Sequence, residues 1–353
     1  MKKTQGICLK AAASLAALTF LAGCGDKPES SGAGGNAAPD AGGKPRFAYV
    51  TNGVADFWTI AKIGAEKAAT DLGVEVDVVM PSGGLSEQKN RIEDLLTRNI
   101  DGMAVSPIDA ANQTTMLNKA AEVTKLITHD SDAPESNRLV YVGMDNYTAG
   151  RMCGKIVKEA LPEGGSVMLL VGRLEQDNAR LRRQGVVDEL LDRSDDSSRF
   201  DPPSAPIKGE KYTILGTLTD QFDRAKAKAN AEDTLSRYPD IGCLVGLFEY
   251  NPPLILQALE QGGKLSKVKV VGFDENPATL QGIRDGTVQG TLVQNPYMYG
   301  YKSVEVLKAL HEGKKDIIPA NKFIDVSAQS IRKDNVMEFW KDLNAKLGKP
   351  APN

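Results

Sequence analysis

Short apolar runs alternate with amphipathic stretches along residues 46–295, and this alternation predicts the secondary structure. Ten apolar runs bounded by turn-forming residues predict β-strands. The predicted strands are Arg46–Asn52, Val74–Pro81, Gly102–Pro107, Lys125–Asp130, Leu139–Asp145, Ser166–Gly172, Tyr212–Asp220, Cys243–Tyr250, Val268–Asp274 and Gly290–Asn295. Apolar residues at helical spacing predict helices over Phe57–Leu72, Ser86–Arg98, Ala110–Glu122, Tyr147–Leu161, Asn178–Leu191, Phe222–Tyr238, Pro252–Gln261 and Pro277–Asp285.

The order of these elements predicts the fold class. Strands that are apolar along their whole length are typical of parallel sheets covered by helices on both faces. The strand-helix rhythm occurs twice, in two sets of five strands. We therefore predict an α/β protein made of two doubly wound parallel-sheet lobes, for which the length after residue 44 is sufficient.

The N-terminus predicts export rather than part of the fold. Lys2 and Lys3 precede an apolar run over residues 11–22, which is too short for a membrane-spanning helix and fits a signal peptide. The stretch Leu21-Ala22-Gly23-Cys24 resembles a bacterial lipobox, in which the cysteine is lipidated. An ordinary secretory signal is the alternative. We expect residues 1–24 to be a lipoprotein signal and residues 25–44, rich in Gly, Ser, Ala and Pro, to be a flexible linker.

Composition narrows the classes of function. The net charge is −3 with 25% charged residues and no dense basic stripe, so nucleic acid is not an expected partner. Cys153 and Cys243 lie in apolar contexts and are expected to be buried thiols, with a single disulfide as the alternative. The two histidines are too few for a histidine-based metal site, and we expect neither metal nor cofactor.

Polar and aromatic residues follow the predicted strands, at the edge where a doubly wound sheet binds its ligand. Carboxylates and amides can bridge vicinal hydroxyl groups, and aromatic rings can cover the C–H faces of a sugar ring. Capping of helices is the alternative for any single Asp or Asn. The candidate ligand-binding residues are Asn52, Phe57, Trp58, Ser106, Asp130, Asp132, Asn146, Arg180, Arg182, Tyr250, Asn251, Asp274 and Gln294.

Several motifs in order resemble one family. They are Tyr49-Val50-Thr51-Asn52, Phe57-Trp58, Ile127-Thr128-His129-Asp130, Val142-Gly143-Met144-Asp145-Asn146, Val271-Gly272-Phe273-Asp274 and Leu292-Val293-Gln294-Asn295-Pro296. Over roughly residues 45–340 the chain resembles the periplasmic ribose-type (type I) sugar-binding proteins of ABC importers, here in a lipoprotein form. The resemblance implies a three-strand hinge between the lobes, capture of a monosaccharide or polyol by hinge closure, and delivery to a membrane permease.

The same resemblance implies roles for individual residues. Phe57 and Trp58 match the aromatic pair that sandwiches the sugar, and Asp130, Arg182, Asp274 and Gln294 match its polar contacts. Ser131 stands where the resembled ribose binders have arginine, and Ala55 and Ser106 replace amides. Phe248-Glu249-Tyr250-Asn251 departs from the usual Asn-Asp pattern, which leaves Tyr250 or Asn251 to take that contact. These departures leave the identity of the sugar open.

The resemblance also implies discontinuous lobes. We expect an N-terminal lobe of residues 45–144 plus 296–323 and a C-terminal lobe of residues 145–295 plus 324–346, with residues 192–211 as a surface loop. A monomer in the periplasm, or on the outer face of the cell membrane, anchored through Cys24 is expected. Two other functions stay open at this point: a ligand sensor feeding a membrane receptor kinase, and a secreted carbohydrate-active enzyme using paired carboxylates.

Overall fold

The computed structural model describes residues 43–352, so the expected signal segment with Cys24 and nearly all of the linker lie outside the described residues. Its strands are β1 (Arg46–Val50), β2 (Glu75–Val79), β3 (Gly102–Val105), β4 (Lys125–His129), β5 (Tyr141–Gly143), β6 (Gly165–Val171), β7 (Ile207–Lys208), β8 (Tyr212–Thr219), β9 (Cys243–Gly246), β10 (Lys269–Phe273), β11 (Gly290–Val293), β12 (Phe323–Asp325) and β13 (Gln329–Ile331). Its helices are α1 (Asp56–Leu72), α2 (Gly84–Thr97), α3 (Ala110–Val123), α4 (Asn146–Ala160), α5 (Asp177–Leu190), α6 (Arg224–Arg237), α7 (Asn251–Gln261), α8 (Pro277–Asp285), α9 (Pro296–His311) and α10 (Val336–Lys346), with a short 3₁₀ helix at Lys315–Ile317.

The strands form two sheets, as the fold class predicts. The first has the order β12-β5-β4-β3-β1-β2, and all its pairings are parallel. The second has the order β13-β11-β10-β9-β6-β8-β7, in which only the two short edge strands pair antiparallel. All ten predicted strands are present. The three strands not predicted are two or three residues long and lack an apolar run.

Both faces of each sheet are buried, which explains the continuous apolar strands. In β1, Phe47 and Tyr49 pack into one cluster while Ala48 and Val50 pack into another on the opposite face. In β6, Leu169 and Leu170 divide in the same way between two clusters. Alternation with period two thus supplies a core to both layers of helices, as expected for a parallel sheet.

The chain passes between the two sheets three times. The crossings lie between β5 and α4, between β11 and α9, and between β12 and β13. α9 returns to the first sheet and packs against α1. The first sheet extends to Asp325, beyond the expected lobe end at residue 323, because β12 pairs in parallel with β5.

Two helix pairs approach closely through glycine. A Cβ on Gly300 of α9 would lie 1.9 Å from the Ala61 carbonyl oxygen of α1. A Cβ on Gly150 of α4 would lie 2.2 Å from the Arg182 carbonyl oxygen of α5. These contacts leave no room for any side chain. The second contact fixes α5, and therefore the Arg182 side chain, against the start of α4.

The segment 192–211 is more than the expected surface loop, because its charges cover the far side of α5. The Asp188 carboxylate, which is fully buried, accepts hydrogen bonds from Tyr147 Oη at 2.8 Å and Gln184 Nε2 at 2.9 Å. Arg193 and Arg199 of the segment donate to the same carboxylate at 3.3 Å and 2.6 Å. This network holds the segment on α5. None of the helices in the described part of the chain is long and apolar enough to cross a membrane.

The Asp188 network generates a stability prediction. Asp188→Ala removes a buried acceptor shared by two arginine side chains and a buried tyrosine hydroxyl, so the free energy of unfolding should fall by about 1–3 kcal/mol. Asp195→Ala is the matched control, because its side chain is 81% exposed and its ion pair with Arg151 is a surface pair. The control should cost less than about 1 kcal/mol in urea unfolding. Equal losses in the two variants would show that the network does not stabilise α5.

Candidate functional site

A cleft lies between the two lobes, at the carboxyl ends of strands from both sheets. This is the position that doubly wound folds use for ligands. Eight of the candidate residues line it: Asn52, Phe57, Trp58, Asp130, Arg182, Tyr250, Asp274 and Gln294.

Asp130 directly follows β4 and has a left-handed backbone with φ of 57°. Its Oδ2 accepts hydrogen bonds from Ser106 Oγ at 2.9 Å and Asn52 Nδ2 at 3.3 Å, both from the first lobe. The same atom accepts from Asn178 Nδ2 of α5 at 3.1 Å, so groups from both lobes meet on one carboxylate. Burial raises the pKa of Asp130, and the Arg182 guanidinium opposes that shift.

The Arg182 guanidinium lies at the centre of the site and is 1% exposed. Its Nε donates to Asn146 Oδ1 at 2.9 Å, and its Nη1 donates to the Leu247 carbonyl oxygen at 3.2 Å. Its Nη2 donates to Gln294 Oε1 and lies 3.8 Å from Asp130 Oδ1. Asn146 and Gln294 belong to two of the chain crossings. One side chain therefore contacts both lobes and two crossings.

Asp274 is the counterpart of Asp130 in the second lobe. It directly follows β10 and also has a left-handed backbone, with φ of 68°. Its Oδ1 accepts from Gln294 Nε2 at 2.6 Å. Burial raises the pKa of Asp274 to about 7, with the Arg182 guanidinium opposing the shift. Left-handed residues outside glycine are uncommon and concentrate at functional sites, which fits both positions.

Aromatic rings from both lobes cover the cavity. Phe57 and Trp58 of α1 meet edge to face with centroids 4.8 Å apart. From the second lobe, Phe222 and Phe248 stack with centroids 5.6 Å apart. His129 meets Trp58 edge to face with centroids 5.7 Å apart, and burial lowers its pKa to about 3. His129 is therefore neutral at physiological pH.

Five candidate residues do not line the cavity. Ser106, Asn146 and Asn251 lie behind it and hydrogen-bond Asp130, Arg182 and Asp220 respectively. The Asp132 carboxylate is held by Arg138 Nε at 2.6 Å, and the Arg180 guanidinium pairs with Asp177 at 2.8 Å. Asp132 and Arg180 thus have partners of their own outside the site. Tyr250 lines the cavity, but its hydroxyl donates to Asp220 at 2.6 Å.

The sequence interpretation missed several lining residues: Ala55, Gln176, Asn178, Phe222, Phe248 and Glu249. For Asn178 a signal was available, because it stands four residues before Arg182 and such residues share a helix face. Glu249 lines the cavity beside Tyr250, and the Tyr250 hydroxyl and the Asn251 amide both hydrogen-bond Asp220. Among residues 43–352, no group of His, Cys, Asp and Glu is arranged to hold a metal ion. Cys153 and Cys243 are buried and free.

Comparison with known proteins agrees with this geometry. A family model for the periplasmic binding protein domain matches residues 47–315. The ribose import binding protein RbsB of Salmonella typhimurium is 26% identical over 262 residues, which cover 73% of this chain and 82% of that protein. The D-allose-binding periplasmic protein of Escherichia coli is 25% identical over 277 residues, which cover 75% of this chain and 84% of that protein.

A solved structure shows the same fold. The solute-binding protein of an ABC transporter from Burkholderia graminis, in complex with D-arabinose, is 28% identical and superimposes with a TM-score of 0.74. The match covers 84% of this chain and 98% of that one. Nearly all residues of that structure are matched, so the unmatched residues belong almost entirely to this chain.

The buried Asp274 carboxylate predicts a pH dependence of stability. Its pKa is higher in the folded chain, at about 7, than the value near 4 of an unfolded aspartate. The folded chain binds more protons between these values, so Asp274 makes the wild type progressively less stable as pH rises from about 4 to 7. In urea unfolding, Asp274→Asn should gain about 1–3 kcal/mol relative to wild type across this range.

Asp233→Asn, which alters an exposed carboxylate of α6, is the control and should give a curve parallel to wild type. A parallel curve for Asp274→Asn as well would show that the Asp274 carboxyl group titrates alike in the folded and unfolded chains.

Proposed function

Because the chain belongs to the periplasmic binding protein family, we propose that it captures a monosaccharide or polyol between its two lobes and delivers it to the permease of an ABC importer. The relatives named for ribose and allose support a sugar, and most of their length is matched by this chain. The family places the protein outside the cytoplasm.

The observation that carries this proposal is the convergence of polar groups from both lobes on one cavity. Asp130 of the first lobe meets Asn178 and Arg182 of the second. Charged and amide side chains in such an arrangement hydrogen-bond hydroxyl groups strongly, because water is excluded. Aromatic rings beside them supply the apolar faces that a sugar ring needs.

Hinge closure is the mechanism that follows from the chain path. Within residues 43–352 the backbone connects the two sheets only at the three crossings, so the lobes can rotate while each core stays intact. A ligand that contacts both lobes favours the closed arrangement by its differential affinity. We propose lobes of residues 45–144 plus 296–325 and of residues 145–295 plus 326–346, with the third crossing after Asp325.

The sugar assignment predicts a sharp stabilisation by one class of ligand. We expect thermal unfolding of the purified protein, run against pentoses, hexoses, sugar alcohols, cyclitols and sugar acids, to shift for one class of sugar or polyol. At a hundredfold excess over its dissociation constant, a ligand that binds only the folded state adds about 2.7 kcal/mol. A flat response to the whole panel from a folded, ligand-free sample would reject the sugar assignment.

Anchoring through Cys24 is a separate part of the proposal. It is supported by the lipobox-like Leu21-Ala22-Gly23-Cys24 and by the Gly- and Ser-rich segment that follows. A single acyl chain gives only marginal membrane binding, so stable anchoring requires more than one chain on this cysteine.

In a bacterial host, Cys24→Ser should move the protein from the membrane fraction to the soluble extracytoplasmic fraction, because the acceptor of the lipid is lost. Cys8→Ser changes a cysteine of the same segment outside the lipobox-like stretch and should leave the protein on the membrane. Membrane retention of Cys24→Ser would contradict the anchor.

A further inference from the structure

Two buried polar side chains lining the cavity lack hydrogen-bond partners. Gln176, at the start of α5, is 0% exposed, and neither its Oε1 nor its Nε2 is paired with any residue of the described chain. Glu249, after β9, is 5% exposed, and its Oε2 is likewise unpaired within residues 43–352. Buried polar groups are nearly always hydrogen-bonded, so unpaired ones in a cavity point to a ligand.

The other polar side chains of the cavity differ in this respect. Asn52, Asn178 and Arg182 all hydrogen-bond protein groups, as described above. The carboxylates of Asp130 and Asp274 accept hydrogen bonds as well. The unpaired groups therefore form a distinct set, both contributed by the second lobe.

Three polar neighbours of Glu249 are already paired. Its Oε1 accepts from Asn276 Nδ2, which leaves only Oε2 unpaired. The Tyr250 hydroxyl and the Asn251 amide both donate to Asp220, at 2.6 Å and 3.1 Å. Burial raises the pKa of Glu249; the Asn276 hydrogen bond and the Arg224 guanidinium oppose this shift, and the Asp56 carboxylate adds to it. The net effect of the surroundings disfavours the charged carboxylate.

We propose that Gln176 and Glu249 are the specificity-determining contacts of the second lobe, which bind a pair of hydroxyl groups that the sugar must carry at that end. This inference rests on the proposed function. Glu249 Oε2 accepts a hydrogen bond from one hydroxyl, while the Gln176 amide both accepts and donates. A sugar lacking a hydroxyl there leaves these groups unpaired, and a site built to bind a hydroxyl strongly rejects an analogue without it.

A binding role and a structural role predict opposite effects on stability. Glu249→Gln keeps the shape of the side chain and removes an unfavourably buried charge, so the ligand-free melting temperature should be unchanged or higher. A residue that stabilised the fold would lower it. The combination of preserved stability and weakened binding therefore identifies a ligand contact.

The experiment is calorimetric titration of wild type, Glu249→Gln and Gln176→Ala with D-ribose, D-arabinose, D-xylose, D-allose and D-galactose. For the sugar that wild type binds most tightly, each variant should lose at least tenfold in affinity, and the rank order of the sugars should change. The two variants are interpreted separately, so that if one of them fails to fold, the affinities of the other still test the proposal.

Glu275→Gln is the matched control. Glu275 is 3% exposed and has the same unpaired Oε2; it lines a neighbouring cavity that Glu249 also borders, but it does not line this one. The control should share any gain in ligand-free melting temperature while its affinity for every sugar stays within twofold of wild type.

Monodeoxy derivatives of the tightest-binding sugar locate the contact. The derivative lacking the hydroxyl that Glu249 accepts should bind wild type at least a hundredfold more weakly. It should lose no further affinity in Glu249→Gln, because the same interaction cannot be removed twice.

The outcomes separate this inference from the function on which it rests. Unchanged affinities and rank order in both variants would overturn the assignment of Gln176 and Glu249 while leaving the sugar-binding function in place. Absence of binding by wild type to these sugars and to every member of the wider sugar and polyol panel would instead reject the proposed function.

Discussion

The site depends on one buried cation, the guanidinium of Arg182. A charge that is 1% exposed is tolerated only when it is fully hydrogen-bonded and close to an opposite charge. Its partners are Asn146 and Gln294 at two chain crossings, the Leu247 carbonyl, and Asp130 of the opposite lobe. Because these partners belong to both lobes and to the hinge, the geometry of the cavity and the angle between the lobes are set by the same contacts.

The placement of Arg182 depends in turn on how α5 is packed. This helix is buried on all sides although it carries several charges, because two polar networks enclose it. Asn178 and Arg182 contact the cavity, while Arg183 and Asp188 bind the segment 192–211 on the opposite side. Gly150 lets α4 approach the helix backbone. A shift of α5 would displace the donors of both networks at once. The cavity contacts, the segment 192–211 and the close approach of α4 together fix the position of the helix.

The main strands and their alternation with helices were readable from the sequence, but the order of the strands in each sheet and the partners of individual side chains were not. Most central strands are continuous apolar runs because both faces are buried, and ligands in doubly wound folds bind at the carboxyl ends, so most of the cavity followed. The left-handed turn at Asp130 directs that carboxylate into the cavity, while Asp132, two residues later, meets Arg138. Strand β12 pairs through three residues without an apolar run, and only the tertiary contact with β5 defines it.

The two lobes differ in how completely they satisfy their own polar groups. In the first lobe, Asn52 and Ser106 already donate to Asp130, so this carboxylate is oriented before any ligand binds. In the second lobe, Gln176 and Glu249 have hydrogen-bonding capacity that no described residue fills. Preorganised groups give affinity for any suitably placed hydroxyl, since little ordering remains to be done. Unfilled groups give discrimination, since a ligand that fails to fill them leaves their desolvation uncompensated. We therefore assign affinity to the paired groups of both lobes, and selection among sugars to Gln176 and Glu249 of the second.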